Sequence, residues 1–449
     1  MSTVTNAHPG QNLESGPAFD SHMPGPSQVD SDEHDPNPLV TDSPNYLKDL
    51  AGRELYLGTS SNWAFARKVL TMLHDKSAGG RLPQEQLHFD GTAYALKWNG
   101  YRDANADAIA SINLPSADFA VFLINAVKFH CGQLLHLFDE SSFMQKFAQF
   151  HESRMDPSLC AGLWYSHYCI ILALGTMLIA RDGESQTIPG EQLFIKGMMA
   201  LPDLAFSEED PVETIEILCC AALYLQCCDR RRQSYHLIGQ ALRLAIVEGI
   251  HTAMQDRTCT LAVAERCRAV WWTVFCLDCH ASALMGGPLA IEIREIDAKL
   301  PHMSGMSHRR AALTAYVALM KVLWHILKTW RYSLQGVRAP SSAPASVRDP
   351  GYTTIAIQLF ATKARTCVSA AQQSITVIKA LKDQYLLECT LPFDMEAVWS
   401  AAVVLLTAEA SSIAVPTDWA QYRSATTAIL DRMAKSGNRV AELRRTRSS

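Results

Sequence analysis

Apolar residues recur every three to four positions from about residue 46 to residue 435, and this spacing limits the fold more than any other property of the chain. In one stretch Tyr235, Ile238, Leu242 and Ala245 fall on a single helix face. No run alternates convincingly between apolar and polar residues, as a half-buried strand would. Hydrophobic residues make up 48% of the chain, which is enough for a large shared core. The sequence therefore predicts an all-α domain of packed helical hairpins.

The centre of the chain contains the clearest helix boundaries. Asp210 can cap a helix that has Pro211 at its first position and Glu213 three residues after the cap. Gly249 lies where the next helix would end, and Gly286 lies where a third helix would stop. The polar residues 229–232 separate the first two helices, and we expect them to form the solvated turn of a helical hairpin.

Another helix is predicted to begin after Ser116, whose hydroxyl can accept from the first turn. Its helical spacing suggests that one apolar stripe faces the core. The residues of this stripe are Phe119, Ala120, Phe122, Leu123, Ala126 and Val127.

The two ends of the chain differ in composition from the middle. Residues 1–45 are rich in Pro, Ser, Asp and Asn and are predicted to be a disordered acidic tail. Residues 46–435 form the predicted helical domain, and residues 436–449 form a basic C-terminal tail. Arg444, Arg445 and Arg447 are the best candidates for contacting nucleic acid, although a solvated end is the simpler interpretation. The net charge of -5 does not favour a surface that binds phosphates.

Sequence motifs for catalysis, cofactors or metals are not evident. The chain contains no phosphate-binding glycine loop, no nucleophile elbow and no His-Glu-x-x-His motif. Its thirteen cysteines begin at Cys131, and the pair Cys276 and Cys279 is expected to be structural within a helix. No apolar run reaches the length of a membrane helix. We therefore expect no catalytic residue, no cofactor, no metal and no membrane partner.

Residues 264–278, which read AERCRAVWWTVFCLD, resemble the central signature of the fungal-specific transcription factor domain, the middle region of zinc-cluster regulators. The later parts of that signature are also similar to residues 286–288 and 297–301, and the signature region spans 210–301. The resemblance extends from about residue 50 to about residue 435. The matching residues, which we expect to be structural, are Glu265, Arg268, Trp271, Trp272, Asp278, Gly286, Pro288, Asp297 and Pro301.

This resemblance implies a nuclear regulator of RNA polymerase II transcription, typical of metabolic gene clusters. The helical domain would then respond to a small-molecule effector, exert intramolecular control, or form a homodimer or heterodimer with another regulator. A zinc cluster needs six thiolates within about 30 residues, and this chain as given has none before Cys131. DNA would be reached directly or, more simply, through a partner. The alternative is a ligand-binding or catalytic helical protein that no longer acts in transcription.

Two positions depart from the family pattern. Cys279 and Gly287 stand where the family often has arginine. These departures are expected to change local ion pairing without loss of the fold.

Overall fold

The computed structural model describes residues 45–48, 54–58, 61, 63–64, 66, 93–94, 96, 98, 113–153, 160, 162–180, 188–204, 209–254, 259–302, 307–336, 350–411 and 418–448. Except for Asn45, the predicted acidic tail lies outside the described residues. The helices in the described part, in chain order from α1 to α12, are Ala117–His130, Glu140–Glu152, Leu163–Ile179, Glu191–Ala200, Pro211–Cys227, Arg231–Val247, Leu261–Met285, Ser307–Gly336, Pro350–Asp383, Pro392–Ser411, Trp419–Lys435 and Arg439–Ser448. The prediction of an all-α fold is confirmed.

Neighbouring helices pack mainly as hairpins. Helix α3 packs against α4, α5 against α6, α6 against α7, α9 against α10 and α11 against α12. Helix α5 also contacts α3 and α7, so it lies at the centre of these layers. All of its residues from Val212 to Cys227 are buried, including three cysteines that pack as small apolar side chains.

The predicted boundaries of the central helices agree with the structure. Asp210 caps α5 by accepting from the Val212 amide at 2.9 Å, and Pro211 is the first helical residue. Gly249 and Gly286 both adopt the left-handed conformation, at φ 67° and 65°, immediately after α6 and α7. These boundaries can be predicted locally. A cap such as Asp210 satisfies a backbone amide in the first turn, and a left-handed glycine ends the helix within its last turn.

The turn between α5 and α6 is less solvated than predicted. The Arg231 guanidinium is buried and lies 2.7 Å from the Asp229 carboxylate, which is also buried. Arg230 donates from Nη2 to the Tyr94 carbonyl at 3.2 Å. The expectation of a solvated turn is therefore wrong, because segments distant in sequence cover this turn.

Helix α1 begins at the predicted cap, and the Ser116 hydroxyl accepts from the Phe119 amide. Its buried face, however, is formed by Ala120, Leu123, Ile124 and Val127, whereas Phe119 and Phe122 are exposed. The prediction that both phenylalanines face the core is wrong. Helix α1 packs closely on α3 at Gly175, where an added Cβ would lie 2.6 Å from the Leu123 carbonyl oxygen. This approach selects the narrow aliphatic face and leaves the rings outside.

A short antiparallel hairpin precedes the helices, although the sequence showed no convincing strand there. Strands β1, Asn45–Lys48, and β2, Glu54–Leu57, pair with Tyr46 opposite Tyr56. The two rings lie 5.8 Å apart in an edge-to-face arrangement. Four residues per strand are too few to show a period-two pattern clearly, and the cross-strand pair becomes visible only in the structure.

Residues 439–448 form helix α12 and not a solvated tail. Val440, Ala441 and Arg444 are buried against the neighbouring helices. The predicted boundary at residue 436 is therefore a turn, with Gly437 at φ 92°, between two packed helices. The high proportion of arginine concealed this helix in the sequence, because the apolar face contains only a few side chains.

The C-terminal cap of α7 makes a close backbone contact with the segment after β2. The Gly58 amide donates to the Met285 carbonyl at 3.0 Å, and Ser61 Oγ donates to the Leu284 carbonyl at 2.6 Å. A Cβ built on Gly286 would lie 2.5 Å from the Gly58 oxygen. Gly286 therefore serves both as a helix cap and as the point of contact with the N-terminal hairpin.

We expect Gly286→Ala to lower the free energy of unfolding by about 2 kcal/mol, because the left-handed backbone and the contact with Gly58 both oppose a side chain. Gly249→Ala is the matched control, since Gly249 has φ 67° and no atom near its Cβ position. It should cost only about 1 kcal/mol. Urea unfolding of both variants measures the difference. Equal losses would contradict the role assigned to the contact with Gly58.

Candidate functional site

The signature region brings together α5, α6, α7 and the segment 296–302. Trp271 and Trp272 of α7 are both buried, as expected for core residues. Trp272 donates from Nε1 to the Lys299 carbonyl at 3.0 Å, and the Trp271 ring lies 5.6 Å from the His251 ring. The His251 carbonyl accepts from the amides of Asp297 and Ala298, each at 3.0 Å. The two tryptophans thus position the end of the signature against the end of α6.

Glu265 and Arg268, which are three residues apart on α7 and expected to be structural, form an ion pair. Glu265 also accepts from the His302 amide through its second oxygen, one residue beyond the buried Pro301. The carboxylate therefore links the first turns of α7 to the end of the signature. Asp297 itself is exposed on this segment.

A second network of charged side chains lies nearby, centred on Arg266 and Glu216. Arg266 donates from Nε and Nη2 to the two oxygens of Glu216, at 2.9 and 2.7 Å, and from Nη1 to Asp210 at 3.1 Å. His136 contacts the same Glu216 carboxylate at 3.1 Å. Burial alone would raise the pKa of Glu216, but Arg266 and His136 hold it at about 2. Helix α5 is thereby anchored to α7 by a network that runs from the buried Glu216 to the exposed Asp210.

Asp278 is a buried carboxyl group on α7. Burial raises its pKa to about 7, and the positive charge of Arg243 opposes this only in part. The following residue, Cys279, is buried as well. The sequence predicted altered ion pairing here, because arginine often occupies position 279 in the family. In this chain the Asp278 carboxyl group is mostly neutral below about pH 7, because burial disfavours its charged form.

We expect Asp278→Asn to stabilise the protein at high pH. A carboxyl group whose pKa is raised from 3.8 to about 7 on folding destabilises the folded state progressively as pH rises from about 4 to above 7. Asparagine cannot ionise, so its advantage over the wild type should grow by about 4 kcal/mol between pH 4 and pH 8, at about 1.4 kcal/mol for each unit of the pKa shift. Thermal unfolding across this range measures it. A difference that does not change with pH would argue against a buried, titrating carboxyl group.

Gly287 and Pro288 follow the cap of α7, and Pro288 is exposed. A Cβ on Gly287 would lie 2.5 Å from the Tyr235 hydroxyl. The second departure from the family pattern therefore has a steric reason, because Tyr235 occupies the space that a larger residue at 287 would need. Gly286 and Pro288 contribute to the signature through the backbone conformations that they permit, and not through polar side chains.

The three arginines proposed for nucleic acid are placed differently from one another. Arg444 is buried, donates to Glu396 at 2.5 Å and lies over the Trp399 ring at 5.3 Å. Arg445 is half-exposed and contacts Asp431 at 3.1 Å. Arg447 belongs to α12, but its side chain lies outside the described part. The structure thus directs Arg444 and Arg445 toward carboxylates of their own chain.

A cavity of about 20 Å³ lies at the ends of α3 and α5, between Tyr94, Met177, Cys227 and Asn438. It has room for about one water molecule. Within the described residues, no group of three or more His, Cys, Asp or Glu side chains is arranged to hold a metal ion. Burial raises the pKa values of the Cys276 and Cys279 thiols, so both are neutral and poorly nucleophilic at neutral pH.

None of the described helices combines the length and the apolar character needed to cross a bilayer.

Comparison with known proteins finds a family that matches this part of the chain. Residues 122–307 match the family described as the fungal specific transcription factor domain, and this range includes the whole signature region. An uncharacterized transcriptional regulatory protein of Schizosaccharomyces pombe is 27% identical over 261 residues, which cover 56% of this chain and 32% of that protein. No solved structure matches the chain.

Two further relatives have more specific names. The thiamine repressible genes regulatory protein of S. pombe is 23% identical over 55% of this chain and 32% of its own length. Activator of stress genes 1 of Saccharomyces cerevisiae is 20% identical over 42% of this chain and 20% of its own length. The chain thus spans about a third or less of these relatives. Residues 122–307 thus match the fungal specific transcription factor domain, and the relatives named above are fungal transcriptional regulators.

Proposed function

We propose that this protein regulates RNA polymerase II transcription in the nucleus, that its targets belong to a metabolic gene cluster, and that a partner protein brings it to DNA. The observation that carries the proposal is the fungal specific transcription factor domain, with its signature helices packed as one core. The named relatives regulate gene expression, which supports the same role for this chain.

Two properties support recruitment by a partner over direct DNA binding. The net charge of -5 is unfavourable for binding phosphates, since affinity for DNA comes largely from the counterions that Lys and Arg displace. Arg444 and Arg445 are engaged by Glu396 and Asp431, so phosphates would have to compete with existing ion pairs. The helical domain then supplies contacts to other regulators.

Promoter occupancy of the tagged chain tests the proposal. We expect chromatin immunoprecipitation to recover defined promoters, and the purified chain to leave the same DNA fragments unshifted at physiological salt. Arg445→Ala, which removes a half-exposed arginine, should leave occupancy unchanged. Specific binding by the purified chain would overturn recruitment by a partner. Absence from both the nucleus and promoters would overturn the transcriptional role and favour a ligand-binding or catalytic helical protein.

The helical domain is further proposed to respond to a small-molecule effector. An effector changes a conformational equilibrium only if it binds the two states unequally. Because the cavity between Tyr94 and Asn438 is small, such a ligand would have to stabilise a more open packing of these helices. Thermal-shift measurements against metabolites of the regulated pathway test this. Failure of every metabolite to change the unfolding temperature would argue against effector control.

A further inference from the structure

Helix α1 is apolar on two faces, and the described residues cover only one of them. The covered face packs on α3 through Ala120, Leu123, Ile124 and Val127. On the opposite side Phe119, Phe122 and Phe129 are 46%, 53% and 74% exposed. Large apolar side chains that are exposed next to one another often mark a contact surface. The outer face of α1 therefore has the composition of a contact surface.

The exposed rings have the spacing of a helix–helix seam. Phe119, Phe122, Ala126 and Phe129 are separated by three, four and three residues, which is the alternation of the core positions in a heptad. The Phe119 and Phe122 rings stack at 5.9 Å with an interplanar angle of 20°, so this part of the seam is already ordered. A seam of this kind is completed by a second helix with a matching seam.

The seam is complementary to itself when two copies run in opposite directions. In that arrangement Phe119 lies opposite Phe129 of the second copy, and the large Phe122 lies opposite the small Ala126. The two pairs share one register, because in each of them a residue at heptad position a faces a residue at heptad position d of the other copy. We propose that the outer face of α1 binds the same face of a second copy of this chain, forming a symmetric antiparallel dimer.

Charge favours the antiparallel direction over the parallel one. Asp118 is exposed in the first turn of α1, and Lys128 and His130 lie in its last turn. Antiparallel pairing places Asp118 beside this basic end, whereas parallel pairing would place the two Asp118 carboxylates together. The helix dipoles are also opposed in the antiparallel pair. Lys128 and His130 contact Glu140 and Glu388 of their own chain, which holds the basic end in place.

The contact between His130 and Glu388 places a second apolar group at the same end of α1. Tyr385 and Leu386, in the turn just before Glu388, are 90% and 62% exposed. Together with the three phenylalanines they present on the order of 600 Å² per copy, taking about 200 Å² for a large side chain. Two copies would bury roughly 1,200 Å², at the lower end of stable interfaces. Tyr385 and Leu386 would extend the seam past the first turn of the second copy.

Solution mass tests the dimer. At a chain concentration on the order of 10 µM, we expect multi-angle light scattering of the full chain to give twice the 49.6 kDa mass. Phe122→Glu places two carboxylates in the seam and should give monomers with an unchanged circular dichroism spectrum. Leu319→Glu is the matched control, since Leu319 of α8 is 57% exposed, and it should remain dimeric. A monomeric wild type, or a dimeric Phe122→Glu protein, would overturn the proposal.

Cysteine cross-linking tests the direction in a Cys367→Ser background, which removes the exposed thiol. The double variant Phe119→Cys with Phe129→Cys should form covalent dimers on oxidation, because the two positions meet across the seam. Each single variant should not, since its two copies lie about 15 Å apart along the helices. Cross-linking of the single variants would overturn the antiparallel register. This inference deepens the proposed function by naming a partner, but it needs no DNA, so its failure would leave the test by promoter occupancy intact.

Discussion

Arg266→Met is expected to lower the free energy of unfolding by about 3–5 kcal/mol, because it leaves the Glu216 carboxylate buried without its main partner. Glu216 accepts from Arg266 at 2.9 and 2.7 Å, and this two-point, charge-assisted contact is a strong link between α5 and α7. His136, at 3.1 Å, remains as a weaker partner. Urea unfolding at pH 7 measures the loss.

The double variant Arg266→Met with Glu216→Leu is the control for this prediction. It replaces the whole pair with apolar groups, so much of the lost stability should return. A double variant that is no more stable than Arg266→Met would show that the loss comes from packing and not from the unpaired carboxylate.

The Glu216 carboxylate also predicts how stability changes with acid. Its pKa is about 2 when folded, against a usual value of 4.5, so its contribution is complete above 4.5 and is lost as pH falls toward 2. The Glu216→Leu, Arg266→Met protein should lack this part of the acid dependence. An identical acid profile in both proteins would contradict the low pKa.

Arg444→Met is expected to lower the free energy of unfolding by about 3 kcal/mol. Glu396 of α10 is buried and accepts from Arg444 at 2.5 Å, while Arg231 lies 3.9 Å from the same oxygen. Burial alone would raise the pKa of Glu396, but the two guanidinium groups hold it below its usual value. Losing Arg444 leaves only the longer contact and removes the cation that lies over Trp399.

Arg445→Met is the matched control for Arg444→Met, because it removes an arginine from the same helix. Its contact with Asp431 is half-exposed, and such pairs contribute less than about 1 kcal/mol. Differential scanning calorimetry of both variants measures the contrast. Similar losses in the two proteins would mean that α12 contributes through its helix alone, and that the buried ion pair adds nothing.

The local features of this fold could be predicted from the sequence. Three such features each depend on residues within one or two helical turns of one another. They are the cap at Asp210, the turn glycines at 249 and 286, and the ion pair between Glu265 and Arg268. Their physical causes are backbone hydrogen bonds and neighbouring side chains, which a short window of sequence contains. The buried tryptophans of α7 were predictable in the same way, because large aromatic residues at helical spacing usually lie in a core.

The partners of the buried charges were decided by the tertiary structure. Arg266 and Glu216 are 50 residues apart, and Arg444 and Glu396 are 48 apart, so no local pattern relates them. The tertiary structure also decided which face of α1 is buried. Its sequence is apolar on both sides, and only the close approach of α3 at Gly175 decides that the aliphatic side turns inward and the phenylalanines outward. Sequence determined where helices begin and end, because those energies are local. The packing of distant helices determined which side chains meet, because burial depends on every neighbour at once.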